Sequence, residues 1–230
     1  MNKLMKQKKL PLLALSVLLS ACPSLYANTT LKGLNHLAKQ GDAASQVALG
    51  VKYHRGEGVK KNDTKAFTLF QEAAQQEDLE GIIYLGKLCR EGEGTEKNPE
   101  RAAQLFKQAA DLGDPIGQIY LGELLLKGEG VSKNERQALA HFLKSAKQGQ
   151  PVAQNYVASL YGQNPETPQD RIEAYAWGII AEAQGETDWK KPLLVSLMTE
   201  EEVEAAQKRA KALMRTIYEG ETLETLSEKS

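Results

Sequence analysis

Cysteine is nearly absent from this chain. Cys22 and Cys89 are the only two in 230 residues, and Cys22 falls in a leader segment where it is either lipidated or discarded, so no disulfide framework can form. Aromatic residues are scarce at 6%, which leaves alanine and glycine to carry close helix packing. Neither sign of charge is in excess, with 29 Lys and Arg against 30 Asp and Glu, so there is no basic footprint for nucleic acid. The chain also lacks a nucleophile elbow, a Ser-x-x-Lys and a paired Cys-His arrangement. His36, His54 and His141 lie far apart without ligand-spaced cysteines or carboxylates, so the sequence predicts no metal, no cofactor and no enzyme.

Beyond residue 21 there is no apolar run of membrane-spanning length. Before it, Lys3, Lys6, Lys8 and Lys9 precede the apolar stretch Leu10 to Ala21, too short for a bilayer helix and matched to a secretory signal over residues 1–27. Two processing routes fit. Leu19-Ser20-Ala21-Cys22 resembles a lipobox, which makes Cys22 a candidate for lipidation and membrane attachment. Alternatively, an ordinary signal cut follows Ala27. On either route the expectation is an exported protein, periplasmic or an outer-membrane lipoprotein, surface-exposed or secreted.

What is abundant is repetition. Gly56-Glu57-Gly58, Gly92-Glu93-Gly94 and Gly128-Glu129-Gly130 recur at a step of 36 residues. Gly50, Gly86 and Gly122 keep that step, as do Phe70, Phe106 and Phe142, and Ala66, Ala102, Ala138 and Ala174. A period of this length marks stacked supersecondary units. Each unit parses into two amphipathic helices. In one, Ile82, Leu85, Gly86, Leu88 and Cys89 form an apolar stripe, and the glycine turn ends it. Asn98-Pro99-Glu100 then opens the next helix, with Ala102, Leu105, Phe106, Ala109 and Ala110 facing inward. Asn62, Asn98, Asn134 and Asp170 are expected N-caps of second helices, and Asp42, Asp78 and Asp114 of first helices. Glycines inside a helix are unfavourable, so their recurrence predicts backbones too close for larger side chains. Gly81 to Leu88 nearly spells a phosphate loop, but Leu88 stands where Ser or Thr must hold magnesium and no strand precedes it. Cys89 shares its repeat position with Tyr53, Leu125 and Tyr161 and reads as a buried hydrophobe.

The stretches Leu49-Gly50 to Val59, Leu85-Gly86 to Gly94 and Leu121-Gly122 to Val131, each followed by Ala-x-x-x-Phe-x-x-x-Ala, resemble the Sel1-like repeat family, a relative of the tetratricopeptide repeat. The resemblance implies an all-α, right-handed α-solenoid. It spans residues 30–186: a leading half unit over 30–41, units over 42–77, 78–113 and 114–149, and a degenerate one over 150–186. Capping helices are expected over 187–218, opened by the Thr199-x-x-Glu202 capping box, and a disordered acidic tail over 219–230.

The resemblance also implies a non-enzymatic scaffold for a protein partner in the bacterial cell envelope. Projecting the first helices onto a concave face gives a partner groove of Val47, Val51, Ile83, Lys87, Arg90, Ile119, Glu123 and Leu126. Some of these side chains equally fit packing between helices, and the ladder of Tyr84, Tyr120 and Tyr156 fits packing better than an exposed platform. Glu57, Glu93 and Glu129 read as solvated or capping turn acids. Two other readings stay open: a cell-wall or β-lactam-related hydrolase or binding protein like the Cys-rich branch of the family, and a surface or secreted host-interaction factor. The Cys-rich branch carries paired cysteines within repeats, and Cys89 has no mate.

Overall fold

The computed structural model describes residues 30–163, 165–186 and 191–219; the leader with Cys22 and Ala27 and the tail from Gly220 lie outside them. Among the described residues the regular structure is entirely helical. The chain divides into two compact units: the first runs to Leu88 and takes in Glu93–Glu96, the second holds Cys89–Gly92 and everything from Lys97 on.

The first unit begins with α1 (Leu31–Lys39), α2 (Ala43–Arg55) and α3 (Asp63–Ala74) and ends within α4 (Leu79–Glu91). Side-chain oxygens of Thr30, Asp42, Asn62 and Asp78 accept from the backbone N–H three residues on, satisfying donors that a helix start leaves open. The core forms where the apolar stripes meet: Leu34 of α1, Leu49 of α2, Phe70 and Ala73 of α3, and Ile82 and Leu85 of α4 are buried. Phe70 lies flat on Tyr84, ring centroids 4.7 Å apart.

The second unit continues with α5 (Pro99–Asp111), α6 (Pro115–Lys127), α7 (Glu135–Lys147), α8 (Pro151–Gln163) and α9 (Pro168–Ala183). Helices adjacent in sequence pack as neighbours, and the aromatic pairing repeats in Phe106–Tyr120 at 4.7 Å and Phe142–Tyr156 at 4.3 Å. The tyrosine ladder is therefore packing. Asn98, Asp114 and Asn134 cap as the sequence predicts. Asp170 does not. Thr167 is the N-cap of α9, and Asp170 is the third residue of the helix, completing the capping box with its carboxylate accepting from the Thr167 backbone N–H. Pro168 at the first helical position moves the start three residues earlier than the repeat register implies.

A short helix α10 (Lys191–Val195) follows, and then α11 (Glu200–Met214) opens with the Thr199–Glu202 capping box. Helix α11 packs on α9, burying Ala206, Ala210 and Leu213. Arg171 binds Glu202 with two nitrogens, and Arg209 donates to Glu173 at 2.9 Å. One turn of π-helix (Arg215–Glu219) follows α11, with the Tyr218 hydroxyl accepting from the Gln154 amide at 2.9 Å.

One residue departs from the repeat. Glu77, at φ 60°, stands where Gly41, Gly113 and Gly149 adopt φ 85–89°, a left-handed conformation that disfavours a side chain by about 1–2 kcal/mol.

Candidate partner-binding surface

The glycine turn is the local device that positions charge. In the second unit, Gly130 (φ 70°) lies so close to the first turn of α5 that a Cβ there would stand 2.2 Å from the Pro99 carbonyl oxygen. Only glycine permits that approach. It sets Glu129, the residue before it, beside the last turn of α4. There Arg90 donates through Nε to Glu129 and through Nη1 to Glu123 of α6, both at 3.2 Å. Burial alone would lower the Arg90 guanidinium, but the two carboxylates hold it above its ordinary value. Glu123 also accepts from the Tyr156 hydroxyl of α8 at 3.1 Å. That phenol is pushed up to about 12 by burial and by the carboxylate it faces. A polar ladder, Glu129–Arg90–Glu123–Tyr156, thus runs across the first helices of the second unit.

The same construction appears in the first unit with different chemistry. A Cβ on Gly94 would stand 2.2 Å from the Asp63 carbonyl oxygen, and this contact sets Glu93 beside the start of α3. His54, in the last turn of α2, is the counterpart of Arg90. Its Nδ1 lies 2.9 Å from Asp63 Oδ1 and 3.7 Å from Glu93 Oε2. Burial pulls the Asp63 carboxyl upward, yet hydrogen bonds from His54 and Lys61 leave it below its ordinary value. Glu129 is therefore a hydrogen-bonded acid, and Glu93 approaches the His54 ring at 3.7 Å. Glu57 is exposed and, among the described residues, pairs with Arg55 at 3.4 Å.

The projected groove residues fall into two groups. In the first unit Val47 and Ile83 are 3% and 9% exposed, and in the second Ile119 is 6% exposed, so these three pack inside. Val51 and Lys87 in the first unit, and Arg90, Glu123 and Leu126 in the second, are half-buried. The Lys87 ammonium sits 5.5 Å from the Tyr84 ring centroid, and Arg90 is engaged by its two acids. Ile116 and Val152, one repeat apart at the same position of α6 and α8, remain 37% and 42% exposed, and Leu112 nearby in sequence 55%.

Sequence reasoning missed the pairing of the turn acids and the buried glutamines. Gln46 and Gln154 donate to the carbonyls of Ala38 and Ala146, and Gln118 accepts from Gln148. For the acids a signal was available: Glu93 follows His54, and Glu129 follows Arg90, by the same 39 residues. Cys89 is buried and desolvation pushes its thiol up, which makes it inert packing. No described helix is long and apolar enough to cross a membrane.

Helix pairs of similar length, three of them joined by glycine turns and repeated at a 36-residue step, define a helical-repeat protein. The Sel1 repeat profile matches residues 43–78, 79–114, 115–150 and 151–186. The chain belongs to the Sel1 repeat family. That fold typically serves protein–protein interaction, and its members are generally non-enzymatic scaffolds. No protein with a curated description matches the chain. Among solved structures, it is similar to c5321, a protective antigen present in uropathogenic Escherichia coli strains and displaying an SLR fold. That similarity has TM-score 0.71 and 26% identity over 80% of this chain. This chain spans only 40% of the antigen. It is also similar to a Sel1 repeat protein from Oxalobacter formigenes, at TM-score 0.66 and 25% identity, covering 83% of this chain and 78% of that one.

Proposed function

We propose that this chain is a non-enzymatic scaffold of the bacterial cell envelope that holds a segment of a protein partner on its first-helix faces. One observation carries the reading: Ile116 and Val152 recur at one repeat position, exposed, on the helices that also carry Glu123 and Tyr156 of a polar ladder whose charged groups are engaged with one another. Apolar anchors bordered by satisfied polar groups suit an extended segment or an amphipathic helix. Leu126 in the second unit extends that set, and Val51 is a half-buried apolar residue on a first helix of the first unit. Export is inferred from the basic and apolar leader, with Cys22 lipidation as the membrane attachment or cleavage after Ala27 as the alternative.

The test is in-cell crosslinking and pull-down of the chain against an Ile116→Glu, Val152→Glu double variant with unchanged helicity. Loss of a specific crosslinked protein supports the surface; identical crosslinked sets from both remove it. A surface location is the second reading, favoured by the similarity to a protective antigen. Protease digestion of the chain on intact cells would establish it, and full protection would leave the periplasmic reading.

A further inference from the structure

We propose that His54, Asp63 and Glu93 form a divalent-metal site for a zinc-class ion, clasping the α2–α3 pair to the turn segment Glu93–Glu96 of the first unit. One ligand atom from each of the three lies within 4.8 Å of the others. Zinc takes imidazole nitrogen and carboxylate oxygen at 2.0–2.2 Å, so tetrahedral ligand atoms stand about 3.3 Å apart. The separations of 2.9 and 3.7 Å from His54 Nδ1 straddle that value. The three side chains are 26%, 23% and 35% exposed, open enough for an ion and a fourth, water ligand. A nitrogen donor beside two carboxylates favours zinc, nickel or copper over calcium and magnesium, which take all-oxygen sets.

The second unit supplies the independent argument. There the same repeat position holds Arg90, a permanent cation between Glu123 and Glu129. In the first unit the position holds an imidazole, which is neutral in its ligating form. Glu93, the counterpart of Glu129, then faces a group that carries no fixed charge, and Asp63 supplies the second carboxylate in place of Glu123, whose repeat position is Lys87 here. Lys61, 55% exposed, reaches Asp63 Oδ2 at 3.3 Å and leaves Oδ1 turned toward His54. A metal ion at Nδ1 supplies the positive charge that arginine supplies one repeat later. For a metal to bind Nδ1, the proton that His54 donates there to Asp63 must leave, exchanging through solvent, so that the ligating imidazole is the Nε2–H tautomer.

The test is titration of the full chain with zinc chloride by calorimetry, paired with thermal melts. One equivalent should bind and raise Tm by several degrees. The isosteric variants His54→Asn, Asp63→Asn and Glu93→Gln should each weaken binding at least tenfold and lose the Tm shift. His36→Asn and Glu57→Gln, outside the cluster, should bind as wild type, which separates the site from surface binding. Absence of binding at millimolar zinc would overturn the proposal. So would wild-type affinity in helical His54→Asn and Glu93→Gln proteins.

Discussion

Gly130→Ala should destabilise the protein by about 3–5 kcal/mol and lower Tm by on the order of 10 °C. Two effects add. A side chain at φ 70° is disfavoured by about 1–2 kcal/mol. The new Cβ would also meet the Pro99 carbonyl oxygen at 2.2 Å and the Glu100 nitrogen at 2.7 Å. Both are backbone atoms of a helix start and cannot swing aside, so the turn must lift from α5 and take Glu129 off Arg90. The chain contains its own control. Gly58 holds the same repeat position at φ 74°, but nothing lies within 4 Å of its would-be Cβ, so Gly58→Ala should cost only the conformational part, about 1–2 kcal/mol. Parallel thermal melts of the two variants check this. Equal losses would mean that the close approach at Gly130 contributes nothing.

Phe142→Ala should cost about 3–5 kcal/mol, the usual range for an aromatic core truncation. The ring is fully buried, lies flat on Tyr156 and covers Gly122, whose would-be Cβ stands 2.8 Å from it. The ring and the glycine act as one packing unit. Gly122→Ala should therefore be destabilising in the wild-type chain and far less so, or stabilising, in the Phe142→Ala background, where the methyl enters vacated space. Urea midpoints of the four proteins, at unchanged slope, give both the loss and the coupling. Additive effects would show that the ring and the helix glycine do not share this contact.

Much of this was legible because it is local or periodic. The caps Asn62, Asn98 and Asn134 and the box at Thr199 follow from residue type at fixed spacing, but the helix glycines Gly50 and Gly122, expected to mark close backbones, instead make room for the Phe70 and Phe142 rings, 2.6 and 2.8 Å from their would-be Cβ atoms. Asp170 was misread because Pro168 resets the start of α9, and the strict 36-residue register ignores that local signal. The charged groups were harder. Glu93 and Glu129 sit on glycine turns that look solvated in sequence, and their partners lie in the preceding repeat. Only the close approach of Gly94 and Gly130 to a neighbouring backbone brings them there. His54, Asp63 and Glu93 likewise have no ligand-like spacing; the fold alone assembles them. Val47, Ile83 and Ile119 project onto the first-helix face but are large apolar side chains at positions that pack inward, so the exposed apolar positions are Ile116 and Val152 instead.

The central claim is that the turn acid is a clasp reaching back to the preceding repeat, and a double-mutant cycle on Arg90→Met and Glu129→Gln tests it most directly. Both side chains are largely shielded, at 16% and 25% exposure, and the bond is charge-assisted. The account predicts a coupling of about 1–2 kcal/mol in urea denaturation. Additivity to within about 0.3–0.5 kcal/mol would contradict it, and would return Glu129 to the role of a solvated turn residue.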